Sequence, residues 1–248
     1  KISAGRCQTP ALKLVYENEK LFENQNLDTQ YTVKGYFTSK NIEFTLNTKI
    51  EKDIVEEFVS SHKNQKYVCE NPKETTKTLK PPRPFITSTL QQRSSSLLKM
   101  SPKITMKCAQ TLYENGLITY MRTDSMCYSK DFISKGKEYI EEKYGEDFVS
   151  NNINTLSYGK ISTKTKTQDA HEGIRITNLD KETSMLNPKM DNSCKRLYEL
   201  IRNNTIQSMM SNALFKVYTF VVNHMYKDKN YKYEKSFDIC TFPGWKIL

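Results

Sequence analysis

The chain has 248 residues, 37% hydrophobic and 11% aromatic, enough to build a sizeable core and too many for wholesale disorder. No apolar run approaches the roughly 20 residues of a membrane span and no secretory h-region opens the chain, so a spanning helix is excluded. Lysine and arginine outnumber aspartate and glutamate 38 to 28, a formal +10, which favours polyanionic partners such as DNA, RNA or acidic membranes, although a lysine-rich solvated surface explains charge alone equally well.

Residues 9–22 read as a helix, with Thr9 as cap, Pro10 in the first turn, and Leu12, Val15, Tyr16 and Glu19 at helical spacing. Residues 31–46 read as two strands turning about 38–41, and 51–59 as a short amphipathic helix. Strand-like pieces follow at 66–70 and 75–79. Pro81, Pro82 and Pro84 then stop any regular element and mark a domain boundary. Beyond them Ser88 and Gln91 predict a capping box opening a helix toward Leu98. Ser101-Pro102 starts another, with a stripe of Ile104, Cys108, Ala109, Leu112 and Tyr113, closed by Gly116. Two helices, a short break and an emerging strand suggest a helix-turn-helix or winged-helix unit, with Tyr120 on the strand. Further helices are expected over 130–144, ending at Gly145, and over 192–209, with a polar loop over 150–168. Strands at 214–225 and 231–242 close the chain around a polar turn, 227–230.

Strands before residue 80 and after 213, with helices between, predict an α+β fold: a sheet domain interrupted by an inserted helical domain. The boundaries expected are 1–26 (a partial helical segment), 27–80 with 210–248 (strand-rich), and 81–209 (the helical insertion). Six scattered cysteines form no C-x-x-C pair, so neither zinc ligation nor a disulfide framework is expected, and a reducing intracellular compartment fits. The start at Lys1 instead of methionine reads as a fragment or a processed chain.

The string GLITYMRTDS, residues 116–125, carries the sharpest chemistry. A phenol needs a neighbouring cation to favour phenolate, and arginine stays charged and grips phosphate with two donors. Tyr120 and Arg122 therefore suit covalent attack on a phosphodiester, yet taken alone such a pair is usually structural. His171, in DAHEGIR (169–175), can hold charge or pass a proton near neutral pH, and Glu172 and Arg175 beside it suit an ion pair equally well.

GLITYMRTDS, with SAGRCQTPAL (3–12), PFITSTLQQ (84–92) and DAHEGIR in the same order, resembles the conserved segments of type IA DNA topoisomerases across nearly the whole chain. The resemblance implies a strand-rich arch carrying an inserted, CAP-like helical domain that bears the tyrosine. It implies that Tyr120 attacks single-stranded DNA to give a 5′-phosphotyrosine, that Arg122 stabilises the transition state, that His171 meets the scissile phosphate and that Asp124 orients the cluster. Arg6 and Gln8 match positions contacting DNA upstream of the break, and Thr87, Ser88, Gln91 and Arg175 are further DNA-binding candidates. Religation needs no ATP because the bond energy stays in the phosphotyrosine. The family's Mg2+ sits on an acidic cluster in a Toprim domain preceding the SAGR segment, and no D-x-D pair occurs here. The expectation is thus a central segment that lacks the Toprim and C-terminal parts, inactive alone, from a monomeric intracellular enzyme of cytoplasm or nucleoid. Cys7, Gly173 and Ile176 depart from the family's usual residues without removing a reacting group, and the topoisomerase I or III branch stays open. Two other readings compete: a non-catalytic winged-helix DNA-binding module, and a tyrosine recombinase or nickase, whose His/Arg framework is not arranged this way.

Overall fold

Helices form where the sequence supplies both a cap and a stripe. Ser101 Oγ accepts Ile104 N (3.3 Å) and Pro102 occupies the first turn of α4 (Pro102–Glu114), whose inward face is Thr105, Cys108, Ala109 and Leu112. Ser129 Oγ caps α5 (Lys130–Tyr144) by accepting Phe132 N, and Asp191 Oδ1 caps α6 (Asn192–Met209) by accepting Ser193 N at 2.7 Å. Earlier lie α1 (Gln8–Glu23), α2 (Val55–Ser60) and α3 (Thr87–Leu98). The computed structural model describes residues 5–23, 29–63, 65–157 and 172–248.

The described strands are β1 (Gln30–Tyr31), β2 (Lys34–Tyr36), β3 (Glu43–Leu46), β4 (Ile50–Glu51), β5 (Lys73–Leu79), β6 (Ala213–Tyr226) and β7 (Lys229–Phe242). They pair as β1-β4 and as β2-β3-β7-β6-β5, with β3 antiparallel to β7 in the register Thr45↔Glu234 and Leu46↔Tyr233. Lys227 (φ 48°) and Asp228 (φ 60°) make the two-residue turn between the long strands, the left-handed pair that a tight hairpin demands.

The chain divides into two compact units: residues Lys1–Glu74 with Tyr218–Phe237, and Thr75–Val217 with Asp238–Leu248. Unit 2 holds the larger core, where Leu90, Leu112, Ile118, Ile174, Leu197 and Ile201 are fully or almost fully buried. The core of unit 1 is built around Phe58, whose ring meets His62, His224, Tyr226 and Tyr231 at edge-on angles.

Several local expectations shift. α1 begins at Gln8, so Thr9 lies inside it and does not cap, and none of its residues is buried. The expected Ser88/Gln91 capping box does not form; Ile86 N donates to Thr89 Oγ1 (3.0 Å), because the cap falls two residues earlier, at Ile86, and the helix starts at Thr87. The strand expected at 66–70 is reduced to one bridge, Cys69↔Val222. Tyr120 is not on a strand either: the nearest ladder contact is the single bridge Ile118↔Ile176, and residues 119–127 continue without regular structure.

A stacked histidine pair, His224 buried and His62 half-buried, gives unit 1 an acid-sensitive element. The His62 and His224 rings stack 3.6 Å apart, His224 Nε2 lies 2.8 Å from Ser61 Oγ, and its Nδ1 lies 3.1 Å from Tyr67 OH. Burial, reinforced by the adjacent His62, lowers His224 from the usual 6.5 to about 4. The unfolded chain therefore takes up this proton first as pH falls, so the contribution is complete above 6.5 and is lost on acidification toward 4. Denaturant unfolding of unit 1 should lose up to about 3 kcal/mol between neutral pH and the folded-state titration, and His224→Gln should flatten that dependence. Equal pH profiles for the two proteins would contradict the assignment.

Candidate active site

Three sequence segments meet in unit 2 through backbone pairing. Ile174 N donates to Phe85 O (2.8 Å), Gly173 N to Cys127 O (2.8 Å), and Thr177 N to Leu117 O (3.1 Å). The residues just before and just after Tyr120 are each fixed by a threonine. Thr119 N donates to Arg175 O (2.9 Å), while its hydroxyl donates to Gly173 O (2.8 Å) and accepts Arg175 N (3.0 Å). On the other side Thr87 N donates to Thr123 O (3.0 Å), and Thr87 Oγ1 accepts Thr123 N (3.0 Å) and donates to Met121 O (2.9 Å). An irregular segment that must satisfy its backbone groups without a ladder does so here with hydroxyls.

The entry to the segment is equally specified. Gly116 takes φ 65°, and Leu117 N donates to Leu112 O (2.9 Å), a Schellman-type ending that turns the chain out of α4. Burial then alternates: Met121, Thr123 and Ser125 face the interior, while Tyr120, Arg122 and Asp124 are exposed. The Tyr120 ring is 38% exposed and sits edge-on to Tyr113 with centroids 5.3 Å apart. Among the described residues, Arg122 and Asp124 make no ion pair, so both charges face solvent beside the phenol.

The other expected residues are placed as follows. His171 lies outside the described residues. Ser88 is exposed and Gln91 half-buried on α3, one helix turn beyond the clamp, whereas the Thr87 hydroxyl is spent on Met121 and Thr123. Arg6 is exposed before α1 and Gln8 opens that helix, both in unit 1. Arg175, expected at the DNA, instead has its guanidinium directed into the protein. It pairs with Glu172, donates to Ile176 O (3.0 Å) and lies 3.8 Å over the Phe132 ring centroid. A largely buried cation needs such partners. Glu172 in turn accepts Ser129 N (2.8 Å) and so ties residues 172–175 to the start of α5.

Glu172 and Arg175 form the ion pair that the sequence allowed for them, whereas sequence reasoning missed Thr119, Thr123 and Gly173 as positioning residues. A Cβ at Gly173 would sit 3.1 Å from Pro84 Cβ and 3.2 Å from Ser125 O, so the glycine allows the close approach of three segments. Only Thr119 and Thr123 carried a signal, as hydroxyl residues flanking the tyrosine in a stretch without strand pairing.

The family profile described as DNA topoisomerase matches residues 1–248. The chain belongs to the type IA DNA topoisomerase family. It is 37% identical over its full length to DNA topoisomerase 1 of Buchnera aphidicola subsp. Acyrthosiphon pisum, covering 29% of that protein. It is 35% identical to DNA topoisomerase 1 of Helicobacter pylori strain 26695 over 89% of the chain and 32% of the relative. Among solved structures, full-length topoisomerase I from Thermotoga maritima superposes with a TM-score of 0.78 at 29% identity, covering 100% of this chain and 40% of that one. The chain thus spans about a third of the length of the curated relatives it matches.

For a topoisomerase, the metal question can be put to the residues present. Among the described residues the one convergent set of metal-ligating groups is Cys108, Asp191 and Cys194, and two thiols do not suit magnesium, a hard cation that takes oxygen ligands. That set therefore does not fit Mg2+.

The clamp has a measurable cost of removal. Thr119→Val keeps the side-chain shape but leaves Gly173 O and Arg175 N without their hydroxyl partner, and should lower the stability of unit 2 by about 1–3 kcal/mol. Arg122→Ala, on the exposed face, should change it by less than about 0.5 kcal/mol. Urea unfolding of both variants checks this; equal effects would remove the clamp from the account.

Proposed function

We propose that this chain carries the strand-cleaving half of a type IA topoisomerase that changes DNA linkage through a transient 5′-phosphotyrosine and relaxes negative supercoils. The Tyr120 oxygen attacks a phosphodiester of single-stranded DNA: its O–P bond forms as the P–O3′ bond breaks, the phenolic proton leaves, and the departing 3′ oxygen is protonated. After strand passage the 3′-hydroxyl attacks the phosphotyrosine and restores both original bonds, so no nucleotide triphosphate is consumed. Arg122 offers a paired donor set to the charge that builds on phosphorus-bound oxygens, and Asp124 orients it. His171 is proposed to meet the same phosphate and serve the 3′ oxygen.

What supports this reading is the convergence at Tyr120: the PFITST and GLITYMRTDS segments and residues 173–175 are cross-bonded around it, yet its ring and its two charged neighbours stay exposed. Arg6, Gln8, Ser88 and Gln91 are proposed to follow the DNA backbone. Thr87 is proposed to act mainly by holding the 121–123 backbone, and Arg175 by bracing the histidine motif. The fold is proposed to comprise an arch, residues 27–80 with 210–248, interrupted by the tyrosine-bearing helical domain 81–209, in which α3 and α4 form the helix-turn-helix pair. Residues 1–26 would belong to the gate base. Mg2+ is placed on acidic residues of a Toprim part outside this chain, which acts in a monomeric, intracellular protein and is inactive without that part.

The full-length protein, incubated with single-stranded DNA and then denatured, should retain the 3′-end-labelled downstream fragment covalently and release the 5′-end-labelled one. Tyr120→Phe should reduce adduct formation by on the order of 10⁴ or more while changing DNA affinity little. An adduct that persists in Tyr120→Phe, or a label that partitions the other way, rejects the assignment; adduct-free binding by the unaltered protein would favour a DNA-binding module.

A further inference from the structure

A second group of reactive side chains lies in unit 2, apart from the tyrosine segment. Cys108 of α4, Asp191 at the N-cap of α6 and Cys194 within its first turn place their ligand atoms within 4.8 Å of one another. Both thiols are buried and the carboxylate is exposed. A cavity of about 420 Å³ opens onto the group and is lined also by Lys107, Thr111, Asn115 and Lys189.

Each feature has an ordinary explanation by itself: Asp191 caps a helix, and a buried thiol packs as a small hydrophobe. Packing of α4 on α6 brings the two thiols into one core, and the third group, Asp191, is what turns a thiol pair into a ligand set. Two helices distant in sequence each bring a sulfur to one point, and a carboxylate joins from the wet side. Tetrahedral zinc with bonds near 2.3 Å to sulfur holds its ligand atoms roughly 3.8 Å apart, so the three groups need to close by only about 1 Å. The cavity leaves the fourth position open to water. Charge also balances. Two thiolates and a carboxylate around a divalent ion leave one negative charge, and Lys107 and Lys189 face the same cavity. Thiolate ligands select zinc over magnesium or calcium.

We propose that Cys108, Asp191 and Cys194 form a three-ligand site for a thiophilic divalent cation, zinc in the cell, with water as fourth ligand. The site clasps α4 to α6. Since α4 leads through Gly116 directly into the tyrosine segment, the metal steadies the base from which that segment departs. The role is structural, and the fourth ligand takes no part in cleavage. The absence of a C-x-x-C pair, which argued against zinc, does not bear on a site whose cysteines come from different helices.

Cobalt(II) titration of the reduced 248-residue chain tests this independently of any DNA reaction. One equivalent should produce thiolate-to-cobalt charge-transfer absorption with the d–d bands of a tetrahedral site, and zinc should displace it. Cys108→Ser and Cys194→Ser should each cut the charge-transfer intensity per bound cobalt, and zinc should raise the unfolding midpoint of the unaltered chain but not of Cys194→Ser. A second variant, with Cys7, Cys69, Cys127 and Cys240 all changed to serine, keeps both proposed ligands and should retain the full spectrum. Loss of the spectrum in that variant, its persistence in the Cys108→Ser/Cys194→Ser double variant, or no cobalt band at all overturns the proposal. So does a Cys108–Cys194 disulfide that survives reductant.

Discussion

The candidate site depends on one constraint: the chain on both sides of Tyr120 has an isolated bridge in place of a sheet, so its backbone is held by a few cross-segment backbone bonds and by threonine hydroxyls. Thr119 joins residues 173–175 to the approach, and Thr87 joins the start of α3 to the exit. Each is a reciprocal arrangement in which one side chain both donates and accepts, so neither segment has a satisfied alternative nearby. A buried carbonyl or amide that loses such a partner costs more than the bond itself contributes, which makes the arrangement close to all-or-none.

From that constraint follows the division of labour along residues 120–125. The buried members, Met121, Thr123 and Ser125, anchor the segment in the core of unit 2, and the exposed members, Tyr120, Arg122 and Asp124, are turned to solvent. Groups that must meet a transition state are useful only if they are held before the reaction begins. Arg175 illustrates the other side of the division. Its charge is consumed by Glu172 and the Phe132 ring, and Glu172 in turn holds the start of α5 through Ser129 N.

Much of the fold was readable from local chemistry. The bounds of α5 and α6 and the Ser101 cap of α4 followed from caps, stripes and a closing glycine, and the long hairpin from alternation around a polar turn. Features set by distant partners were not readable. Nothing around Ser88 and Gln91 indicates that Thr87 would be drawn into the helix start by Thr123. Nothing near Arg175 announces Phe132 as its platform, and the Cys108–Cys194 convergence depends on how two helices pack. Tyr120 was expected on a strand because an apolar pair precedes it; a single bridge at Ile118 was all that the pairing supplied. The tyrosine, arginine and aspartate stood out through the family resemblance of their string, since the chemistry of Tyr120 and Arg122 alone left a structural role open; all three lie on the exposed side of the segment.

Amide hydrogen exchange resolved to Thr119, Thr123 and Arg175 addresses the clamp most directly. If hydroxyl-backed pairing holds the tyrosine segment, these three amides should exchange as slowly as the core of α4, opening only when unit 2 unfolds. Exchange at the pace of exposed loops, while α4 and α6 stay protected, would mean that the segment is not held and that the account of the site is wrong.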